Sequence, residues 1–509
     1  MSARPAAVIG LDAMDPDLVR QWAASGDLPH LAKVLPHASQ GRVTNPPWFE
    51  AGAAWSTFFR GLEPDQTGLW DGFHRLDTER YALRNVRRDE VPSPQLWRSL
   101  SEQGRRITLI DPPYELMDDN VEGIQVIDWM SHVRTGPHWL DTRPAGLAET
   151  IRQNWGENPW VADADPCPTN QVRFSNAAEV TAFADALVQR VEAKTGFTKS
   201  LLAGEPADLF CVVFHEAHDV GHMAWHVHDS THELYDPAVA EGAEDPILQV
   251  YRAMDQAVGE LLPLLDDHNV LILFSHGMAA ERTGTRLLDE ALEVLASGGR
   301  QPVRRPPDTF VDRAYRHLLP ASLRDRLRSL SLVSRRYEKF AQEKKFSRPY
   351  FEQTPNQAVG GVRLNLIGRE KYGVVEPGAQ ADAMLDRLME QLASIRNADN
   401  GEPFIAAMQK TADIYRGPHA HQLPDLLLRW HRGAPVRRLE SPELGVLENR
   451  FVRPRTGDHL PDGFYLAMGP DVPGGVNKPV RMTDFAATLG AWLDIELLPP
   501  AVRPWAAEA

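Results

Sequence analysis

Short unbroken apolar runs punctuate this chain, and each leads into residues able to do chemistry. Ala6–Leu11 ends at Asp12, Ile107–Ile110 at Asp111, Leu209–Phe214 at His215, and residues 270–274 at Ser275 and His276. A further run, residues 426–428, follows Pro424 and Asp425. Such β-prone runs lack alternation, which suits strands buried on both faces, as in parallel sheets. Helical patterns lie between them. In the clearest, residues 245–262, Asp245 is suited to cap and Pro246 to the first helical position. Ile247, Val250, Tyr251, Met254, Val258 and Leu261 then recur at helical spacing. Strands alternating with helices predict an α/β sandwich around a mostly parallel central sheet flanked by helices. Ligands of such sheets bind beyond the carboxyl ends of the strands, where Asp12, His215, His218, His222 and His276 fall.

Residues 281–350 depart from this pattern. They are rich in Arg and Lys, from Arg304 and Arg305 through Arg335, Arg336, Lys344 and Lys345, with loosely helical apolar spacing. The expected organisation is a core of residues 1–280 and 351–509 with a basic helical insertion or cap at 281–350. A solvated helical surface accounts for such a segment, as does a lid that attracts an anion.

Composition narrows the function. The net charge of -16 over 509 residues argues against a binder of nucleic-acid polymers but allows a small anionic substrate in a local basic pocket. Two cysteines, Cys167 and Cys211, cannot build a disulfide framework, which suits a reducing compartment. The apolar stretch near the start is short and ends at Asp12, unlike a secretory leader. No run approaches the ~18 apolar residues of a membrane span. The expected location is the cytoplasm, with no membrane partner; oligomeric state is not legible.

The densest chemistry lies at His215, Glu216, His218, Asp219, His222, His226 and His228. His218 and His222 stand four apart, so a helix presents both imidazoles on one face, a common arrangement for zinc and similar ions. Glu216 or Asp219 could ligate, act as a base, or orient an imidazole. His226 and His228 are expected at the surface or behind the ligands. His276, at a strand end before Gly277, and His459, in the turn-rich loop 456–463, could complete the site.

Taken in order, these segments resemble the alkaline phosphatase superfamily, in its type I phosphodiesterase/nucleotide pyrophosphatase branch. Ile9-Gly10-Leu11-Asp12 looks like the family's first strand, whose final Asp ligates metal. Trp55 to Gly68 looks like its W-T-S-F-x-T-G-x-x-P-x-x-H-G, and His218 to Trp225 like its D-x-x-x-H-x-x-W. Ser275-His276-Gly277 resembles S-D-H-G, Gly361 to Glu370 resembles G-I-R-I-N-L-x-G-R-E, and Gly457 to Gly463 resembles G-x-H-x-x-D-G. The resemblance implies an alkaline phosphatase-like fold that clamps a phosphate or related ester with two divalent ions, often zinc; histidine and carboxylate donors suit manganese or iron as well. By position, His218, His222 and His459 would form one metal site, and Asp12 and His276 belong to a second.

The departures are specific. The residue four before Trp55, where the family carries its Thr or Ser nucleophile, is Ala51. Ser275 replaces an Asp, and His218 replaces another. The second site thus loses ligands, and one ion held by three histidines is expected. A metal-activated water would replace the missing hydroxyl, with Glu50, Glu216 or Asp219 as catalytic base. The expectation is a metal-dependent hydrolase or transferase of a phosphate ester, phosphodiester or similar anion. Its alternatives are a repurposed metalloenzyme with non-phosphoryl chemistry and a non-catalytic metal-binding protein.

Overall fold

The computed structural model describes residues 3–497 apart from 73, 87–89, 92, 132–138, 160–173, 205, 301–338, 340–341, 357 and 450–454. Among the described residues, nine strands form the large sheet: β1 (Ala6–Leu11), β2 (Ser39–Thr44), β3 (Ile107–Ile110), β4 (Gly123–Ile127), β5 (Asp141–Arg143), β6 (Leu209–Phe214), β7 (Asn269–Phe274), β8 (Asp462–Met468) and β9 (Val480–Arg481). Their order is β9-β2-β8-β7-β1-β6-β3-β4-β5. The five central strands, β7 to β4 in that order, are mutually parallel. Antiparallel strands appear toward both edges. This is the mostly parallel α/β sandwich that the apolar runs predict.

Burial on both faces explains the unbroken runs. Ala7, Ile9 and Leu11 of β1 pack into one core with Val250, Met254 and Val258. Ala6 and Val8 point into the opposite core with Trp55, Phe58 and Phe59. Helix α1 (Glu50–Arg60) lies on the second face. Helices α2 (Ala177–Leu202), α3 (Glu216–His228) and α4 (Pro246–Leu261) cover the first. Asp245 caps α4 through its side chain, as its place before Pro246 predicts. Gly10 is required by packing: a Cβ there would lie 2.6 Å from the Trp55 ring.

The run at 426–428 departs from expectation. It lies in Leu426–Trp430, a strand of a separate four-stranded sheet, antiparallel to both neighbours. Its continuous apolarity has the same cause as in the large sheet. Leu426 and Leu428 pack with Leu288, Leu292 and Leu388, while Leu427 faces Phe49 and Trp70. Two covered faces erase alternation whichever way the strands run.

Helix α5 (Leu288–Ala296) packs against this second sheet. The basic insertion expected at 281–350 otherwise lies mostly outside the described residues, including Arg304, Arg305, Arg335 and Arg336. Of its described lysines, Lys344 pairs with Glu293, and Lys345 Nζ donates to the Glu352 carbonyl at 3.1 Å. The chain leaves the large sheet through Gly277–Ala280 and returns through Gly457–Leu460. These two strands pair antiparallel with each other, and the Glu281 amide extends the ladder to the Thr456 carbonyl at 2.8 Å. Among the described residues no helix is long and apolar enough to cross a membrane.

Candidate metal centre

Strand ends and one helix build the site. Helix α3 starts directly after β6 and carries His218 and His222 on one face. His459 comes from Gly457–Leu460, a paired strand where a turn-rich loop was expected; Met278 is its register partner. The close approach depends on Gly457, where a Cβ would lie 2.1 Å from the Gly221 carbonyl oxygen of α3. The rings of His218, His222 and His459 then meet with centroids 4.5 to 4.9 Å apart. One ligand atom from each lies within 4.8 Å of the others. His276 joins from the end of β7, its ring 4.3 Å from that of His459.

These imidazoles suit a cation. The His222 Nδ1 lies 2.7 Å from the Gly457 carbonyl oxygen, which can only accept. Nδ1 therefore carries the proton, and the Nε2 lone pair faces the cluster. The His459 Nε2 is buried with no hydrogen-bond partner among the described residues. Burial and the neighbouring rings of His276, His222 and His218 hold the His459 pKa well below its ordinary value. Burial also lowers that of His276 to about 4, against the opposing pull of Asp12. Both rings are thereby kept neutral, the form that ligates metal. The donor set fits a divalent transition metal at His218, His222 and His459.

Asp12, at the end of β1, is already engaged. Its Oδ1 accepts from Trp55 Nε1 at 2.7 Å and from the Ser275 hydroxyl at 2.8 Å. His276 Nε2 stands 3.7 Å from the same oxygen, and His215 Nδ1 lies 3.5 Å from Oδ2. Burial opposes ionisation of Asp12, but the bond from His215 and the nearby His218 and His276 rings outweigh it and hold its pKa well below the ordinary value. The structure thus brings Asp12 and His276 together beside the three-histidine cluster. Ala51, in the first turn of α1, contributes only a methyl group.

The three acidic candidates separate. Glu50 opens α1 with a positive φ of 44° and is buried. Its Oε1 accepts from Arg429 Nε at 2.7 Å. Burial raises its pKa, with Arg429 and Arg432 opposing. Glu216 and Asp219 instead face α2. Arg190 Nη1 bonds Asp219 Oδ2 at 2.6 Å, and Arg190 Nε lies 3.2 Å from Glu216 Oε1. Lys194 Nζ is 3.0 Å from Asp111 Oδ2, and all five groups are buried.

Four arginines and two further histidines frame the cluster. Arg432 Nη1 donates to the His459 carbonyl at 2.7 Å, and Arg455 Nη1 lies 3.3 Å from His222 Nε2. Arg190 and Arg429 hold the acids just described. His226 Nδ1 lies 3.1 Å from the Thr456 hydroxyl, and His232 Nε2 lies 3.1 Å from the Thr456 carbonyl, so both hold the returning strand against α3. His228 pairs with Asp245 at 2.6 Å. Sequence reasoning left all four arginines unassigned, since an isolated arginine reads as surface charge until the fold places it.

The fold and the imidazole cluster define an alkaline phosphatase-like α/β protein with a candidate metal centre at the carboxyl ends of its strands. The sequence model of the type I phosphodiesterase / nucleotide pyrophosphatase family matches residues 6–456. The chain belongs to that family, a group of phosphate-ester hydrolases within the alkaline phosphatase superfamily. Among solved structures it is similar to murine ectonucleotide pyrophosphatase / phosphodiesterase 5, with 13% identity and a TM-score of 0.50 over 97% of this chain and 96% of that one. It is also similar to phosphonoacetate hydrolase from Sinorhizobium meliloti 1021 in complex with phosphonoformate, with 11% identity and a TM-score of 0.51 over 98% and 96%. At these identities the likeness is one of fold. No curated protein matches the chain.

Proposed function

We propose that this chain is a metal-dependent hydrolase of phosphate esters or phosphodiesters in which water replaces the side-chain nucleophile. The observation that carries this reading is the pairing of a converged imidazole triad with a methyl group at Ala51. An ion held by His218, His222 and His459 would polarise the ester oxygens and lower the pKa of water. Zinc suits three imidazoles, and manganese or iron can use the same donors. Asp12 and His276 supply too few ligands to hold a second ion tightly, because Ala51 and Ser275 replace the family's further donors.

Water attacking phosphorus must lose a proton. Glu50 is the base we favour: its buried carboxyl has a raised pKa, and its pairing with Arg429 fixes its orientation. Glu216 and Asp219 we assign to holding α3 through Arg190, so that His218 and His222 keep their aim. Arg432 and the helix start beside Ala51 favour an anionic substrate electrostatically. The two cysteines support the cytoplasm as the compartment; Cys211 is a buried thiol with its pKa raised to about 12.

The test is elemental analysis of purified protein together with turnover of an aryl phosphodiester. One ion per chain, absent when His218 and His222 are changed to Ala, with turnover lost in parallel, supports the reading. Metal without phosphoester turnover would favour the repurposed metalloenzyme, which the loss of the hydroxyl at Ala51 makes chemically reasonable. Two ions per chain would refute the single site.

A further inference from the structure

We infer that Arg455 is a substrate-binding residue whose guanidinium grips the non-bridging phosphoryl oxygens of the ester held beside the imidazole cluster; this rests on the hydrolase reading above. The His222 ring fixes the geometry. Its Nδ1 proton is committed to the Gly457 carbonyl at 2.7 Å, so its only lone pair is on Nε2. Arg455 Nη1 stands 3.3 Å from that Nε2. Arginine has donors and no acceptor, so here it donates to the lone pair that an ion would take.

An ion on the imidazoles therefore displaces this donor without removing Arg455 from the site. The backbone beside it is anchored: the Thr456 amide donates to the His222 carbonyl at 2.7 Å, and His226 and His232 both contact Thr456. Only the side chain can re-aim. A guanidinium next to a divalent cation is repelled unless an anion lies between them. A phosphoryl group satisfies both, one oxygen toward the cation and others accepting from the arginine fork, a geometry that arginine matches better than lysine. Arg455 is half-buried, so a ligand can reach it while water is partly excluded. Its charge also acts on His459 and Asp458 of the returning strand and on Asp71.

The experiment measures ion binding and anion binding separately. Wild type, Arg455→Met and Arg455→Lys are loaded with Zn2+ or Mn2+ in competition with a chromophoric chelator. Inorganic phosphate is then titrated calorimetrically into the loaded proteins. Arg455→Met is expected to take up the ion at least as tightly as wild type, because a competitor for the His222 lone pair is gone. Its phosphate affinity is expected to fall about tenfold or more, the scale of a lost charge-assisted bond. Arg455→Lys should fall in between. Unchanged phosphate affinity in a loaded Arg455→Met protein would overturn the assignment while leaving the hydrolase reading intact. Weaker ion binding in Arg455→Met with phosphate affinity retained would also overturn it and make Arg455 a support of the imidazoles. If wild type takes up neither ion, the hydrolase reading itself fails, and this inference with it.

Discussion

Glu50 and the pair Glu216 and Asp219 show how one residue type acquires different roles from its surroundings. On α3 the two histidines and the two acids point about a third of a turn apart, since a helix turns once per 3.6 residues. The histidines face the returning strand and the acids face α2. Changing Glu50 to Gln is expected to lower kcat on an aryl phosphodiester about 10²- to 10⁴-fold, the usual contribution of a general base. The sign of the pH effect follows from burial. The carboxyl must be ionised to accept a proton and burial raises its pKa, so the rate should fall on acidification at a midpoint higher than that of an ordinary glutamate. A pH–rate profile of residual Glu50→Gln turnover checks this; an acid limb unchanged by the substitution would place the base elsewhere. At this scale the sequence singled out His218 and His222 through their spacing, Asp12 and His276 through their places at strand ends, and His459 through a turn-rich loop that the resemblance also matched. It concealed Arg190, Lys194, Arg429 and Arg432, whose partners lie far away along the chain.

Helix α3 is the element on which the site turns. It is buried along most of its length and held from behind by two cations of α2 against Asp111, Glu216 and Asp219. Replacing Arg190 with Met would leave buried carboxylates short of a partner. We expect a loss of about 3–5 kcal/mol, as for other buried pairs broken on one side. Urea unfolding of the variant measures it, and a loss below 1 kcal/mol would mean that Lys194 alone suffices. Elements were the most readable level. The strand runs ending at Asp12, Asp111, His215 and Ser275, and helix α4 with its Asp245 cap, stand where the pattern put them. The strand Leu426–Trp430 was legible as a strand and misleading as to its sheet, because apolar continuity reports covered faces and carries no strand direction. The segment around His459 looked like loop because Gly457, Pro461 and Gly463 suggest turns, whereas Gly457 serves a close backbone approach.

For the whole molecule, buried titratable groups set opposing pH limits on the metal-free protein. The His276 pKa falls from 6.5 to about 4 in the fold, so the unfolded chain binds its proton first. That stability is complete above 6.5 and is lost as pH falls toward about 4. The depressed His459 acts in the same direction. Glu352 does the reverse: burial raises its pKa from 4.5 to about 8, so its contribution is complete below 4.5 and is lost as pH rises through about 8. Changing Glu352 to Gln should raise the alkaline-side Tm of chelator-treated protein and leave the acid side unchanged. Thermal melts across both windows test it, and an equal gain at every pH would assign the effect to packing.

Gly277–Ala280 and Gly457–Leu460 form a neck through which the chain leaves for residues 281–456 and comes back. The two ends of that segment, at register partners Ala280 and Gly457, sit one strand spacing apart, about 5 Å. His276 and His459 stand at the base of that neck, and Arg432, from the segment beyond it, bonds the His459 carbonyl. Whatever alters that segment is therefore felt by the imidazoles twice, through the spacing of the two strands and through Arg432.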